Sequence, residues 1–347
     1  MTPMEPTVTP TVPPTAVPAG PQAPTAASIF NGYVLAHALF GLWELGLLDE
    51  LAARGHLELP GRSPGGMAVL LDPLLAAGLA SRTGTTWRLT PAGADVAAEM
   101  GFLVWAVGGY GPVFQQAAGI LSGKQVYGRD VSRDDVRVVT GSALAARRHV
   151  SPYIYRIVDR LHATCGLRRI VDVGCGNAQF LVELCHRHAD LSAVGVDISA
   201  AACELAAENV RRAQLAERIT ISCANFRAAA ETGRRGDSIW AGTGLVTSFF
   251  MLHDLMSDAD RTIRDLRALR EQLPSGARLL FADTVSREPS DATAPPIFSL
   301  GFHLAHALMG VRLWNLRDYE EVFAAAGLSV EQRLPTGVPS TWLYLLR

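Results

Sequence analysis

The sequence predicts an α/β protein in which a helical N-terminal domain precedes a doubly wound, mostly parallel sheet. Three observations support this fold class. Strand and helix patterns alternate from residue 166 to residue 347, a glycine-rich turn follows the first of those strands, and apolar residues recur at helix spacing through most of residues 27–165. Such alternation is typical of a parallel sheet with helices on both faces.

Length and charge restrict the class of protein. At 347 residues the chain is long enough for two domains, and 49% apolar with 18% charged residues is a globular composition. The formal net charge of −2 gives no electrostatic footprint for nucleic acid or an anionic membrane. The longest apolar runs fall short of the roughly 20 residues that span a bilayer, so we expect no membrane partner.

The cysteines and the first segment indicate a cytoplasmic protein. The five cysteines show no C-x-x-C spacing, so we expect reduced thiols rather than disulfides or a zinc site. Residues 1–26 are rich in Pro, Thr and Ala and lack the basic start and apolar stretch of a signal peptide. We therefore predict a disordered tail for residues 1–26.

Residues 27–165 predict a winged-helix-like domain. A helical pattern runs from Ser28 to Gly55, and a second helix leads into "GLASRTGTTWRLTPAG", which alternates like a hairpin. No Arg or Lys lies between Gly65 and Ala80, which disfavours a DNA-binding role. We expect this domain instead to cover the substrate and to form a homodimer.

Residues 166–347 predict the sheet domain. The strands are expected in "LRRIVDV", "LSAVGVDIS", "ITISCANF", "SIWAGTGLVTSFFMLHDL" and "ARLLFADT", followed by a helix and two more strands. Ligands of such sheets bind outside the carboxyl ends of the strands.

The turn after the first strand indicates a cofactor site. Gly174 and Gly176 let the chain turn sharply and let a ligand approach the backbone N–H groups of the next helix. The turn lacks the third glycine of the dinucleotide-binding motif. Asp197 ends the second strand, where its carboxylate can accept hydrogen bonds from ribose hydroxyls.

The motifs "VDVGCGNAQF", "VGVDIS" and "ANF" resemble the cofactor site of class I S-adenosylmethionine (SAM)-dependent methyltransferases. Two departures are Ala178 at the usual third glycine and Asn225 at a common acidic position. A nucleotide-binding fold with another cofactor is the alternative. The resemblance implies a SAM site formed by Asp172, Gly174 and Gly176 around the methionyl part, Asp197 at the ribose, and Asn225 and Phe226 at the adenine, with Ile198 as a further cofactor-binding residue.

The segment "FMLHDL" permits two roles for His253. It resembles the H-D-W motif of two-domain small-molecule O-methyltransferases, with Leu255 in place of Trp, and that likeness makes His253 a general base. His303 and His306 lie one helical turn apart further along the chain. Three histidines near one cleft also permit a metal site, because imidazole is a ligand for iron and zinc, and the spacing alone leaves both roles open.

A closer resemblance favours the metal. The pattern F-x-L-G-F-x-x-x-H-x-x-M-G-V begins at Phe298, and it is similar to the metal-dependent phenylpyruvate and α-keto acid C-methyltransferases of actinobacterial peptide-antibiotic biosynthesis. The resemblance implies His253 and His306 as ligands of one metal ion, with iron favoured over zinc. It leaves His303 as a pocket or packing residue. It also implies a substrate pocket formed by Trp105, Arg129, Phe250, Asp254, Phe298 and Phe302.

The sequence thus predicts an enzyme of secondary metabolism that methylates the β-carbon of an α-keto acid, of the phenylpyruvate or 4-methyl-2-oxovalerate type, through a metal-chelated enolate. The catalytic roles fall to Asp254 or a water on the metal, which removes the β-proton, and to Arg129, which pairs with the carboxylate or oxyanion. Two alternatives stay open. One is a metal-independent O-methyltransferase with His253 as base, and the other is a non-catalytic regulator that binds DNA.

Overall fold

The computed structural model describes residues 23–59, 66–228, 239–256, 258–286 and 297–347. The predicted disordered tail falls on residues 1–26, of which 1–22 lie outside the described residues. Helix α1 begins at Ala26, and the Thr25 hydroxyl caps it by accepting a hydrogen bond from the Ser28 N–H at 3.1 Å.

The long helix predicted from Ser28 to Gly55 is two helices, α1 (Ala26–Glu44) and α2 (Leu47–Arg54). Gly46 and Gly55 both adopt the left-handed conformation, so the first breaks the helical path and the second ends α2 as its C-cap. By length and composition α1 also suffices to cross a membrane, contrary to our reading of the apolar runs. Ala38, Leu39 and Leu42 nevertheless bury its C-terminal half in the domain core.

A small antiparallel sheet confirms the predicted hairpin. Strands β2 (Ala80–Thr83) and β3 (Thr86–Leu89) pair around Gly84, and β1 (Leu57–Glu58) pairs with the far side of β3. A short 3₁₀ turn, Met67–Leu70, and α3, Asp72–Ala76, precede the hairpin. This is the winged-helix-like arrangement that the pattern predicted.

The rest of the N-terminal domain is helical. Its segments are α4 (Pro91–Ala98), α5 (Met100–Leu103), a π-helical turn (Val104–Gly109), α6 (Gly111–Gln115), α7 (Ala117–Leu121), α8 (Asp135–His149) and α9 (Ser151–Cys165). Helix α9 ends at Gly166 in the left-handed conformation.

The C-terminal domain contains a seven-stranded sheet in the order β6-β5-β4-β7-β8-β10-β9. The five strands from β6 to β8 are parallel, and β10 runs antiparallel to both of its neighbours. The strands are β4 (Arg169–Val173), β5 (Ser192–Asp197), β6 (Ile219–Cys223), β7 (Leu245–Phe249), β8 (Arg278–Thr284), β9 (Val330–Pro335) and β10 (Thr341–Leu346). The doubly wound, mostly parallel sheet is therefore confirmed.

Helices cover both faces of this sheet. They are α10 (Gln179–Arg187), α11 (Ala200–Arg212), α12 (Leu252–Leu255), α13 (Ala259–Gln272), α14 (Ser299–Leu308) and α15 (Leu316–Ala325). Apolar residues of α9 and α10 pack on one face of the sheet, and those of α13 and α15 pack on the other. Because both faces are covered, the central strands β4, β5, β7 and β8 are buried along nearly their whole length rather than at alternate residues.

Glycines let the π-helical turn lie directly against α8. A Cβ at Gly141 would be 2.5 Å from the Trp105 backbone nitrogen and 2.7 Å from the Gly101 carbonyl oxygen. The Asp134 N–H, at the start of α8, donates to the Gly109 carbonyl at 2.9 Å. These contacts fix the backbone on either side of Trp105.

We expect Gly141→Ala to destabilise the protein by about 1–3 kcal/mol, because the added methyl group can be accommodated only by moving backbone. Chemical denaturation measures the change in unfolding free energy. Gly32→Ala is the matched control, since its Cβ would meet nothing within 4 Å in helix α1, and it should be neutral or stabilising. Equal stability of Gly141→Ala and the wild type would contradict the close-packing account.

Candidate active site

One cavity of about 650 Å³ lies where the parallel strands end and the helical domain covers them. It is lined by the turn after β4, the end of β5, the segment after β6, and the residues from Phe249 to Leu255 after β7. Helices α8, α10 and α14 and the π-helical turn contribute further parts of the wall. A single space therefore joins the predicted cofactor loops to His253 and His306.

The turn after β4 has the conformation that its glycines predict. Gly174 and Gly176 have φ of 76° and 55°. Ala178, which replaces the usual third glycine, also has a positive φ of 56° and caps helix α10. A residue other than glycine costs roughly 1–2 kcal/mol in this conformation. The loop therefore keeps the conformation of a third glycine at this cost.

Two carboxylates frame this turn. Asp197 accepts hydrogen bonds from the N–H groups of Gly176 and Ser199, both at 2.9 Å. Asp172 is buried and accepts a hydrogen bond from the Thr247 hydroxyl at 2.6 Å. Burial raises the pKa of Asp172, and the nearby Asp197 carboxylate raises it further. The hydrogen bond from the Thr247 hydroxyl lowers it, and the net pKa is about 7. Asp172 is thus poised to change charge near neutral pH.

The residues predicted at the far end of the cofactor site also line the cavity. Ile198 is 72% exposed although it is apolar, which leaves its side chain free to contact a planar group. Asn225 accepts the Arg227 N–H through its side-chain oxygen at 2.9 Å, so its amide N–H groups remain for a ligand. Phe226 is buried and packs edge-on against Trp240, with ring centroids 6.2 Å apart.

His253 and His306 meet inside the cavity, with their Nε2 atoms 2.9 Å apart. Asp283 contacts His253 twice, accepting its backbone N–H and its ring Nδ1–H, each at 2.7 Å. His306 Nδ1 lies 2.6 Å from the Phe302 carbonyl oxygen, which can only accept. Both Nδ1 atoms are therefore donors, and in the neutral rings both Nε2 lone pairs face each other.

Two opposed lone pairs require a positive charge between them. Burial lowers the pKa of His253, but the Asp283 carboxylate outweighs burial and the net pKa is raised. Burial and the charge on His253 lower the pKa of His306 to about 3. The site thus favours one cation between the two nitrogens, which is a proton or a metal ion.

The donor set fits a metal ion. Two imidazole nitrogens 2.9 Å apart, both with lone pairs directed at the same space, are close enough to share one ion. The carboxylate of Asp254 offers a further ligand atom, and the three ligand atoms lie within 4.8 Å of one another. Ring nitrogens backed by a carboxylate and a carbonyl are the usual outer support of a metal site.

Aromatic side chains form the wall opposite the cofactor loops. Phe298 lies at its centre, with ring centroids 5.1 Å from Trp105, 5.0 Å from Phe302, 5.4 Å from Phe102 and 6.5 Å from Phe250. Phe250 and Phe298 both have positive φ, 56° and 80°, which is rare for aromatic residues. The backbone therefore holds both rings in the wall at a cost in strain.

Comparisons with known proteins agree with this geometry. The family described as a methyltransferase domain matches residues 170–271. The chain is 27% identical to methyltransferase ungE′ of Aspergillus campestris, covering 88% of this chain and 91% of the relative. It is 28% identical to indolepyruvate C-methyltransferase of Streptomyces griseus (92% and 94%) and 25% identical to 2-ketoarginine methyltransferase of Streptomyces arginensis (87% and 88%).

The chain is a SAM-dependent methyltransferase. Its fold is the class I fold in the form of the O-methyltransferases. The solved structure of CalO1, a methyltransferase of calicheamicin biosynthesis in its SAH-bound form, superposes with a TM-score of 0.58 at 20% identity and covers 92% of this chain and 96% of that one. The same fold is seen in an O-methyltransferase-like protein of Nostoc punctiforme, with a TM-score of 0.62, 17% identity and coverage of 93% and 100%.

The structure corrects one residue predicted for the substrate pocket of this methyltransferase and favours one of the two roles expected for a second. Arg129 is wrong, because its side chain is exposed, pairs with the adjacent Asp130 at 2.9 Å and is absent from the cavity lining. Arg133, four residues later, does line the cavity. His303 is half-buried on α14 beside the lining rather than in it, so it belongs to the packing side of its helix.

Tyr110, Arg133 and Asp283 belong to the site but were not predicted from the sequence. Arg133 donates through Nη1 to the Tyr110 hydroxyl at 2.8 Å and through Nε to Asp135 at 2.9 Å. Asp283 holds His253. Only Asp283 gave a usable signal, since an acid at the end of a parallel strand lies at the ligand-binding edge.

We expect the affinity of the methyltransferase for SAM to rise as the pH is raised from 6 to 8. A carboxyl with a pKa of about 7 loses its proton across this range, and the resulting carboxylate attracts the cationic sulfonium and ammonium groups of SAM. Since the ionised fraction grows from roughly a tenth to nine tenths, the gain is up to about ninefold. Calorimetric titration at several pH values measures it.

Asp172→Asn tests whether this carboxyl is responsible. The amide keeps the shape of the side chain and has no proton to lose near pH 7. Its SAM affinity should therefore be nearly independent of pH over the same range. If the variant shows the same pH slope as the wild type, the titrating group is elsewhere.

Proposed function

We propose that this methyltransferase transfers the methyl group of SAM to the β-carbon of an α-keto acid and that a metal ion assists the reaction. The observation that carries the proposal is the Nε2–Nε2 distance of 2.9 Å between His253 and His306, with both Nδ1 atoms engaged as donors. The names of two relatives, an indolepyruvate C-methyltransferase and a 2-ketoarginine methyltransferase, support an acceptor of this class.

His253 and His306 would hold the metal ion, for which we propose iron over zinc on the basis of the family resemblance. A metal ion bound there would supply Lewis-acid stabilisation to the enolate form of a 2-oxo acid. The histidines keep their lone pairs directed at that position because Asp283 and the Phe302 carbonyl fix both rings.

Asp254 is our proposed base. Its carboxylate lines the cavity and lies 3.7 Å from His253 Nε2, which is longer than the spacing between the two histidine nitrogens. A carboxylate beside the two histidine nitrogens is placed to take a proton from a substrate held there. The β-carbon proton passes to Asp254, and the electron pair of the broken C–H bond enters the enolate.

The enolate carbon then forms a bond to the SAM methyl group while the sulfur–methyl bond breaks and S-adenosylhomocysteine (SAH) is released. One cavity contains both the cofactor loops and the histidines, so the two reactants can be held in contact. Arg133 and Arg147 both face this space from the helical domain, but Arg147 is largely exposed and pairs with Glu183. We propose that Arg133, and not Arg129, pairs with the substrate carboxylate.

The aromatic wall indicates the side chain of the substrate. Phe298 and the four rings around it form an apolar surface that suits an aromatic or bulky apolar group. A cationic side chain, as in 2-ketoarginine, would lose its hydration against this wall. We therefore favour 2-oxo acids of the phenylpyruvate or indolepyruvate kind over 2-ketoarginine, with 4-methyl-2-oxovalerate as a smaller candidate.

The alternative of a metal-independent O-methyltransferase needs His253 Nε2 to face a phenol. In the structure that atom faces His306 instead, and His253 is only 2% exposed. The geometry thus favours the metal-binding role.

The homodimer stays a prediction. Ile29, Phe30 and Tyr33 are each more than 60% exposed on α1, so a second copy of the chain is a suitable partner for this face. The molar mass of the protein in solution decides it. The proposed partners do not include nucleic acid or a membrane.

We expect the purified protein to contain a metal ion and to methylate phenylpyruvate at carbon, with chelation abolishing turnover. Labelled SAM, a panel of 2-oxo acids and phenols, and elemental analysis measure this. His306→Ala should lose the metal and at least about 100-fold in activity, because one nitrogen cannot replace two.

His303→Ala is the matched control, one helical turn away on α14, and it should retain both metal and activity. Full activity of a metal-free enzyme would overturn the proposal. Chelator-resistant methylation of phenols would support the O-methyltransferase alternative instead.

We expect Arg133→Lys to raise the KM for the 2-oxo acid by about 10–100-fold, since a hydrogen bond to a charged group contributes about 1.5–3 kcal/mol. Steady-state kinetics with phenylpyruvate measure it. Arg129→Lys changes a neighbouring arginine outside the cavity and should leave KM within twofold. An equal rise in KM in both variants would contradict the assignment of Arg133, rather than Arg129, to the substrate carboxylate.

A further inference from the structure

The hydroxyl of Tyr110 is a buried hydrogen-bond donor with no acceptor among the described residues. Its oxygen accepts the Arg133 Nη1–H at 2.8 Å, which leaves its own proton for another partner. Tyr110 is 1% exposed and lines the cavity. Buried hydroxyls in proteins are rarely left without an acceptor, so the cavity should provide one when a ligand is bound.

The backbone fixes where this hydroxyl lies. The Tyr110 N–H donates to the Trp105 carbonyl at 2.9 Å, which is the closing bond of the π-helical turn. The Trp105 ring packs on the Tyr110 ring with centroids 4.3 Å apart, and the Asp134 N–H holds the preceding Gly109 carbonyl. π-Helical turns inside helices frequently occur at functional sites.

The guanidinium of Arg133 is oriented by the same contacts. Asp135 takes its Nε–H and Tyr110 takes one Nη1–H, so two sides of the planar group are fixed. Its remaining donors can be directed to the cavity that it lines. A guanidinium beside a phenol hydroxyl presents two adjacent donors, and a carboxylate has two acceptor oxygens to match them.

We infer that Tyr110 and Arg133 together form the subsite for the carboxylate of the substrate, with the Tyr110 hydroxyl donating to one oxygen. This inference rests on the proposed function. The Asp254 carboxylate contributes to the raised pKa of the Tyr110 phenol, so its negative charge reaches this part of the cavity. That charge would repel the carboxylate of the substrate. The Arg133 charge offsets that repulsion, and the Tyr110 hydroxyl adds a directional bond without adding charge.

Binding of phenylpyruvate and of its methyl ester in the presence of SAH tests the subsite. The two ligands share a carbon skeleton, but only the acid has an anionic carboxylate. Tyr110→Phe should weaken binding of the acid about tenfold, as expected for a lost hydrogen bond to a charged group. The affinity for the ester should stay within about twofold. In turnover, the same variant should raise KM while kcat changes little.

Trp105→Phe is the comparison variant, because it alters the packing under Tyr110 and keeps the hydroxyl. A purely structural role for Tyr110 predicts that Tyr110→Phe weakens acid and ester equally, as Trp105→Phe should, and that result would overturn the inference. Unchanged acid affinity in Tyr110→Phe would overturn it as well. Wild-type protein that binds phenylpyruvate in neither assay would instead overturn the proposed function. Elemental analysis of each variant checks that the metal content is unchanged.

Discussion

The two hydrogen bonds between Asp283 and His253 join the ends of two neighbouring strands, and the remaining chemistry is arranged around them. One bond holds the backbone of α12 and the other holds the imidazole ring. Because β7 and β8 are parallel neighbours, the residues that follow them emerge at the same edge of the sheet. A ring free to rotate would direct its Nε2 away from His306, and the two nitrogens would no longer share one position.

The helical domain completes the site from the other side. Within this domain, the π-helical turn lies against α8 through glycines, which brings Trp105, Tyr110 and Arg133 over the strand ends. The sheet domain alone would leave the cavity open to water there. The removal of water strengthens each charge interaction inside the cavity. In the proposed function the sheet domain binds the cofactor, and the helical domain contributes to the selectivity for the acceptor.

The sheet and its cofactor turn were predictable because their signals are local. Strand periodicity, the spacing of Gly174 and Gly176, and the acid at Asp197 all act within a few residues of chain. The pairing of His253 with His306 needed the resemblance, since nothing in the spacing says that α14 crosses the end of β7. Arg129 and Arg133 lie in one polar loop, and only the tertiary contact with Tyr110 distinguishes the arginine that faces inward. The break at Gly46 was missed because a glycine inside an apolar helical pattern does not by itself show a left-handed turn.

The strained backbone at Phe250 and Phe298 has a consequence for the engineering of this enzyme. Glycine would adopt those dihedral angles without penalty. Replacing either phenylalanine by glycine therefore removes about 1–2 kcal/mol of strain along with the ring. Loss of a packed phenylalanine ring costs up to about 3–5 kcal/mol, which exceeds the strain that is relieved. The packing of the rings therefore holds the strained backbone in place, and a library built at these two positions has to keep an aromatic side chain at both.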